Sequence, residues 1–365
     1  MRVFFALPGL HRVSRGAEVA FEQVAEHLAR SGDEVTLLGT GPSRPDRSYR
    51  YLSTSTVRRE RFEKLPSLPP FARSEYVLEE LTYVPGLLRW YRPSDYDVTV
   101  TCSYPYTNWF LRARGGRRRP RHVFVTQNGD WPIRSNDAEF KWFGADGVVC
   151  TNPDFERECR DLVPTALIPN GVDIDRFVPG DAERERLGLP LDRRIVVMVS
   201  ALIETKRVAA AVEAVGRTDD LMLVVAGDGP ERDLVDSLAA THLPGRFRRV
   251  SLPPEDMPSL YRSADAFLHM SLDEAFGNVY IEAAACGTPI VAHDSDNTRW
   301  ILGDAAALVD TTDLDLVAET LSDATTGRGV RPDDLIGQVK DRFSWATVAG
   351  SYRSFLAEVA SGSDR

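Results

Sequence analysis

Cysteine is scarce in this chain of 365 residues, which has only Cys102, Cys150, Cys159 and Cys286. None of them forms a C-x-x-C pair, and the six histidines are scattered without the spacing of a zinc site. This scarcity argues against a disulfide framework and against a zinc cluster. We therefore expect mostly buried free thiols in a reducing compartment.

An excess of basic side chains is also lacking. The 54 acidic residues outnumber the 44 lysines and arginines and leave a net charge of −10. Proteins that bind nucleic acid through their charge need a basic face, so we expect no nucleic-acid partner.

Long apolar runs are missing as well, since no stretch approaches the roughly 18 residues of a membrane span. The apolar start, VFFALPGL, is short and leads into His11 and Arg12 without a small-residue cleavage site. We therefore expect a cytoplasmic protein without a secretory signal.

What the sequence does contain is an alternating strand and helix pattern. RVFFAL predicts a strand, AEVAFEQVAEHLARSG a helix and EVTLLGTG a second strand, which together form a βαβ unit of a parallel sheet. More strands are predicted at 96–103, 121–129 and 145–152, with a short one in TALIPNG. After Pro179 the pattern restarts with RRIVVMVSAL. The sequence thus predicts two doubly wound domains, residues 1–175 and 176–342, and an amphipathic last helix at about 343–360.

Ligands of open parallel sheets bind at the carboxyl ends of the strands, and the stretch DEAFGNVYIEAAACGTPIVAHD follows a predicted strand. Gly277 and Asn278 precede a helix, whose amino end favours a phosphate. Glu274 lies in the loop before this helix and Glu282 lies within it. A carboxylate accepts two hydrogen bonds, which suits a vicinal diol such as a ribose. Alternatively, Glu274 interacts with the helix dipole and Glu282 is a solvated helix residue.

Cationic side chains occur near two other predicted helix starts. Lys206 follows the strand VVMVSAL by a short loop, where a lysine can reach a bound anion. A solvated lysine is the alternative. Arg15 and Gly16 open the first helix and are candidates for contact with the same phosphates.

Three D-x-D triplets begin at Asp173, Asp294 and Asp313. The second follows an apolar strand, so a divalent metal carrying a nucleotide diphosphate is one alternative. The basic segment Arg112–His122 is a solvated loop or a candidate for contact with an anionic membrane surface. The basic, proline-broken segment Arg58–Arg73 is a candidate for contact with the acceptor or with the inner face of a membrane.

Taken in order, several stretches resemble the family 4 glycosyltransferases, retaining enzymes of the GT-B fold. The stretch Glu274–Val291 looks like the E-x7-E signature of the family, and IPNGVDIDRFVP looks like its interdomain segment. AGDGP, LYRSADAFLHMS and FSWATVAGSY also match. The resemblance implies two Rossmann-like domains that face a central cleft, with the C-terminal helix crossing back to the first domain.

The resemblance also implies roles for individual residues. A nucleotide-diphosphate sugar would bind the second domain and be transferred with retention, without a metal or other cofactor, to a glycan, lipid-linked or small-molecule acceptor. The implied catalytic residues are Glu274, facing the sugar, and Lys206, at the diphosphate. The implied donor-binding residues are Gly16, Arg15, Arg207, Phe276, Gly277, Asn278, Val279 and Glu282, the last of these at the ribose. Gln127 and Asn128 are implied on the acceptor side.

The chain departs from the family pattern at several positions. The family usually has a glycine followed by an arginine where this chain has Ser200 and Ala201. It often has a histidine where this chain has Gln127 and Asn128. Arg207 or Arg15 is a candidate to replace the missing cation. These departures keep open a nucleotide-sugar-binding pseudoenzyme. A nucleotide-sugar epimerase or hydrolase on the same fold and a metal-dependent single-domain transferase are further alternatives.

Overall fold

The computed structural model describes residues 1–62, 74–127 and 142–362. The chain divides into one unit of Met1–Asn170 with Trp345–Arg365, and a second unit of Gly171–Ser344. The sequence predicted a boundary after residue 175. The structure places it earlier because Val172 and Phe177 pack in the apolar core of the second unit.

The described part of the first unit forms one parallel sheet. Its strands are β1 (Arg2–Ala6), β2 (Glu34–Gly39), β3 (Arg50–Ser53), β4 (Val98–Thr101), β5 (Arg121–Val125), β6 (Gly147–Cys150) and β7 (Thr165–Leu167). They lie in the order β3-β2-β1-β4-β5-β6-β7 and every neighbouring pair is parallel. The edge strand β3 was not predicted, because only Leu52 of its four residues is buried and the apolar signal is weak.

Helices pack against this sheet, and the last helix of the chain is one of them. They are α1 (Gly16–Arg30), α2 (Glu75–Trp90), α3 (Tyr106–Ala113), α4 (Pro153–Cys159) and α12 (Trp345–Ser361). The apolar face of α12 shares the core of β1, β4 and α1 through Tyr352 and Leu356. Asp33, which is buried, accepts from the Met1 amino group at 2.9 Å and from Arg353 Nε at 2.8 Å. This contact ties α12 to the start of the sheet.

The second unit repeats the architecture with a smaller sheet. Its strands are β8 (Arg194–Val199), β9 (Leu221–Ala226), β10 (Phe247–Val250), β11 (Ala266–His269), β12 (Ile290–His293) and β13 (Ala307–Val309). Its helices are α5 (Val208–Gly216), α6 (Arg232–His242), α7 (Met257–Arg262), α8 (Asn278–Ala285), α9 (Asp296–Leu302), α10 (Leu314–Ala324) and α11 (Pro332–Phe343). The strand order is β10-β9-β8-β11-β12-β13, all parallel.

Strands β8 and β11 are neighbours at the point where the order of this sheet reverses. In doubly wound sheets the loops that leave the carboxyl ends of such strands splay apart and form a crevice. The loops after β8, β11 and β12 therefore share one edge. The predicted fold class, two doubly wound domains of the GT-B type with the last helix returning to the first, is confirmed.

The four cysteines are free and buried, as predicted. The basic segment Arg112–His122 is only partly a solvated loop, because Arg119 and Arg121 both contact Asp146, Arg119 at 2.5 Å. Residues 63–73 of the other basic segment lie outside the described residues. Within the described ranges, no helix has the length and apolar character that a membrane crossing needs. The membrane contact stays a prediction.

Candidate active site

The loop between β11 and α8 carries Glu274, and a side chain from α9 holds this loop in place. Asn297 Nδ2 donates to the backbone carbonyls of Glu274 and Phe276, each at 3.2 Å. Phe276 itself is buried against Trp300 and Phe343, with ring centroids 6.2 and 6.1 Å away. The backbone of the loop that carries Glu274 is thus held in place by Asn297 and by the packing of Phe276.

Two donors converge on one oxygen of Glu274. Lys206, in the turn Glu204–Lys206 after β8, forms an ion pair with Oε1. His269, the last residue of β11, places Nε2 2.7 Å from the same oxygen. The two residues that were predicted to contact the sugar and the diphosphate separately are therefore in contact with each other.

The surroundings of Glu274 stabilise its ionised form. Burial by itself raises the pKa of this carboxyl, but the hydrogen bond and charge of His269, with Lys206, outweigh it and lower the pKa to about 2. Glu274 is consequently a carboxylate throughout the physiological range and cannot act as a general acid there.

Gly277 makes the turn into α8 in a conformation that favours glycine. Its φ of 91° is left-handed, and an added Cβ would lie 2.4 Å from the Tyr280 ring. Asn278 and Val279 then form the first turn of α8, which contains no acidic residue. Its amino end therefore presents the positive end of a helix dipole beside the Glu274 loop, as the sequence predicted.

Glu282 lies one turn into α8. The alternative prediction, that it is a solvated helix residue, is wrong. The Tyr261 hydroxyl donates to its Oε2 at 2.8 Å. Burial raises the pKa of Glu282 to about 7, although Tyr261 and the charge of Arg176 lower it. The pKa of the Glu274 carboxyl is therefore lowered, whereas that of the Glu282 carboxyl is raised.

Arg207 has a structural role that the sequence did not predict. Its guanidinium donates to the Met270 carbonyl and to the hydroxyl and carbonyl of Thr311, each at 3.1 Å. These bonds join the loop after β8 to the loops after β11 and β13. Its role as a replacement cation for the diphosphate stays a prediction.

The remaining predicted residues belong to the first unit. Gly16 is the first residue of α1, and Arg15 before it is exposed and makes no capping bond through its side chain. Gln127 exchanges two amide hydrogen bonds with Asn170, at 2.6 and 3.1 Å. Asn128 lies outside the described residues. The roles of these residues stay predictions.

The D-x-D triplets have structural roles. Asp294 forms two bonds of 2.5 Å with Arg299, while Asp173 and Asp313 each accept two backbone N–H groups of the turn that follows. No group of three or more potential metal ligands occurs in the part of the chain that the structure describes. Metal independence stays a prediction.

Three side chains that hold the two glutamates were not predicted from the sequence: His269, Asn297 and Tyr261. One signal was available for His269, since it ends a buried strand at the carboxyl edge, where the other candidates were sought. No signal marked Asn297 or Tyr261, because their partners lie on other elements of the second unit.

Two family models together match most of the chain. Residues 180–337 match the group 1 glycosyl transferases, and residues 14–176 match glycosyltransferase family 4. The boundary between the two matched regions lies close to the boundary between the two structural units.

The curated relatives are glycosyltransferases. Over 247 residues the chain is 28% identical to the lipopolysaccharide core biosynthesis glycosyltransferase LpsE of Rhizobium meliloti, covering 64% of this chain and 69% of that protein. It is 33% identical over 191 residues to the D-inositol 3-phosphate glycosyltransferase of Mycolicibacterium smegmatis, covering 49% of this chain and 44% of the relative. It is 39% identical over 162 residues to the enzyme of the same name from Mycobacterium tuberculosis, covering 40% of this chain and 34% of the relative. The matched part of this chain thus spans less than half the length of each of the two D-inositol 3-phosphate glycosyltransferases.

Solved structures share the fold over almost the whole chain. The sucrose-phosphate synthase of Thermosynechococcus elongatus has a TM-score of 0.78 at 19% identity and covers 99% of this chain and 100% of its own. Anabaena HepE in complex with UDP has a TM-score of 0.74 at 17% identity, covering 98% and 100%. At these identities the likeness establishes the fold alone.

Gly277→Ala should destabilise the second unit by more than a left-handed backbone position alone explains. Such a position costs a residue with a Cβ about 1–2 kcal/mol, and the Tyr280 ring adds a steric clash. The matched control is Gly245→Ala, since Gly245 also has a positive φ, of 69°, but has no atom within 4 Å of its added Cβ. Urea denaturation of both variants measures the difference, and equal losses would contradict the clash.

Glu274→Gln should alter the stability of the protein in acid. The folded-state pKa of about 2 lies below the ordinary 4.5, so the ionised carboxylate stabilises the fold above pH 4.5 and that stability is lost towards pH 2. Wild type should therefore lose on the order of 1–3 kcal/mol relative to Glu274→Gln between pH 5 and 2. Denaturation at each pH measures this, with the exposed Glu319→Gln as a control that follows wild type.

Glu282→Gln should show the opposite pH dependence. The folded-state pKa of about 7 lies above the ordinary 4.5, so the folded protein binds the extra proton and loses stability as pH rises through this interval. Relative to Glu282→Gln, wild type should become less stable between pH 4.5 and 7 and change no further above it. A difference between the two proteins that does not vary from pH 4.5 to 8 would contradict the raised pKa.

Proposed function

The chain belongs to the family 4 glycosyltransferases of the GT-B fold, and from this premise we propose that it transfers a sugar from a nucleotide-diphosphate sugar to an acceptor hydroxyl with retention of anomeric configuration. We further propose that the transfer needs no metal. The observation that carries the proposal is the pairing of Glu274 with Lys206 and His269 directly before the amino end of α8.

The leaving group in this reaction is a nucleoside diphosphate, so catalysis mainly requires stabilisation of the charge that develops on it. Lys206 and the dipole of α8 supply positive potential at one place in the second unit. The bond from the sugar C1 to the phosphate oxygen breaks, and a bond from C1 to the acceptor oxygen forms on the same face. The acceptor proton passes to the departing phosphate, so no protein base is required.

The two glutamates would contact different parts of the donor. The Glu274 carboxylate, ionised at neutral pH, would accept hydrogen bonds from hydroxyls of the transferred sugar. Glu282, farther along α8, would accept from the ribose hydroxyls. The raised pKa of Glu282 is consistent with this role, because hydrogen bonds donated by a diol would favour the ionised form of the carboxyl.

The relatives suggest which ligands to try first. HepE binds UDP and UDP-glucose in its solved complexes, so uridine-diphosphate sugars are the first donors. The curated relatives act in lipopolysaccharide core biosynthesis and on D-inositol 3-phosphate by name, so a core oligosaccharide and inositol 3-phosphate are the first acceptors.

A nucleotide-sugar-binding pseudoenzyme is the second candidate, and one observation favours it. The guanidinium of Arg207 already donates three hydrogen bonds to Met270 and Thr311, and Ala201 stands where the family has an arginine. A protein of this kind would bind the donor but release no nucleotide.

The first experiment measures donor binding by thermal shift and turnover by nucleotide release, each with and without chelator. A donor at about 100 times its dissociation constant should stabilise the fold by roughly 2.7 kcal/mol. Turnover that chelator leaves unchanged supports the metal-free transferase, and turnover that chelator abolishes contradicts it. Binding without turnover in the presence of the acceptors supports the pseudoenzyme.

Lys206→Ala and Glu274→Ala should each reduce turnover by about 100-fold or more, because each removes a charge next to the reacting groups. The matched controls are Lys340→Ala on α11 and Glu319→Ala on α10, both of which replace exposed side chains. The controls should keep wild-type rates. A near-normal rate in either site variant would remove that residue from the active site.

A further inference from the structure

His269 is a buried histidine, and among the described residues only one of its two ring nitrogens has a hydrogen-bond partner. The residue is the last of strand β11, and its side chain is 2% exposed. Nε2 lies 2.7 Å from Glu274 Oε1, whereas Nδ1 is buried and has no hydrogen-bond partner among the described residues. A buried ring nitrogen without a partner costs free energy, so packing alone does not account for a histidine at this position.

The packing around His269 would accept an apolar side chain. Its ring is stacked on Phe267, with centroids 6.2 Å apart, and meets the edge of Tyr280 at 5.0 Å. A leucine here would avoid the cost of burying an unpartnered nitrogen. The hydrogen bond to Glu274 is the interaction that distinguishes histidine from leucine at this position.

The contact also decides which oxygen of Glu274 is available. His269 and Lys206 both bind Oε1, and Oε2 has no hydrogen-bond partner in the described part of the chain. If Lys206 were the sole partner, its movement towards an anionic ligand would leave a buried carboxylate unpaired. With His269 in place, the carboxylate keeps a donor while the lysine changes partner.

We propose that His269 is a positioning residue that donates Nε2–H to Glu274, orients Oε2 towards the transferred sugar and lets Lys206 move from Glu274 to the diphosphate of the donor. This inference rests on the proposed sugar transfer. His269 does not contact the donor and acts through Glu274.

Activity measurements test this role with two substitutions at one position. His269→Leu removes the donor and should lower kcat with a uridine-diphosphate sugar by 10- to 100-fold. The dissociation constant for UDP, which has no sugar for Glu274 to contact, should stay within threefold. His269→Gln keeps an N–H donor where Nε2 lies and should recover kcat to within about fivefold of wild type.

Phe267→Leu is the matched control for packing, because it changes the apolar contact beneath the same ring and removes no hydrogen bond. It should keep kcat within threefold of wild type. The inference is overturned if His269→Leu keeps a near-normal kcat. It is also overturned if the glutamine variant is as slow as the leucine variant.

A spectroscopic measurement on wild type covers the case in which His269→Leu does not fold, and it does not depend on turnover. Nitrogen-15 NMR of histidine-labelled protein should show a proton on Nε2 of His269, with the signal assigned by its loss in His269→Gln. A ring protonated only at Nδ1 would overturn the inference. If wild type binds UDP but releases no nucleotide, the proposed function fails while this measurement still reports on the hydrogen bond.

Discussion

The ion pair between Glu274 and Lys206 is the interaction on which the candidate site depends, because it joins two loops that leave different strands of the second sheet. A largely buried carboxylate is costly unless charges and hydrogen bonds compensate it. Lys206 and His269 supply both. Asn297 holds the backbone of the same loop. The position of Glu274 is therefore set by its partners as much as by its own segment, and the amino end of α8 is placed next to a fixed anion.

Two carboxylates in the same short segment have opposite electrostatic environments. Burial acts to raise the pKa of Glu274, but its interactions with His269 and Lys206 outweigh this effect and lower the pKa to about 2, while burial raises the pKa of Glu282 to about 7. Groups whose pKa values are driven apart in this way are typical of functional sites. An ionised Glu274 suits a partner for sugar hydroxyls and for Lys206. Glu282 gains most from a ligand that brings hydrogen-bond donors, as a ribose does.

The departures from the family pattern have structural consequences that differ between the two units. In the second unit, Arg207 donates hydrogen bonds to Met270 and Thr311 and so joins three loops, while its role as a replacement for the cation missing at Ala201 stays a prediction. In the first unit, Gln127 is paired with Asn170, which orients an amide where a titratable histidine is common.

The sequence by itself determined the two α/β units and the places of Lys206, Gly277 and Glu274 after strands, because periodic apolar residues and strand-ending loops are local features of the chain. It did not determine that Lys206 and Glu274 pair, that His269 and Asn297 hold the loop, or that Tyr261 contacts Glu282. Only the tertiary structure decided these, since each contact joins elements that come together when the parallel strands assemble. The pKa values of the two glutamates follow from those contacts and from burial, which no spacing of residues along the chain reveals.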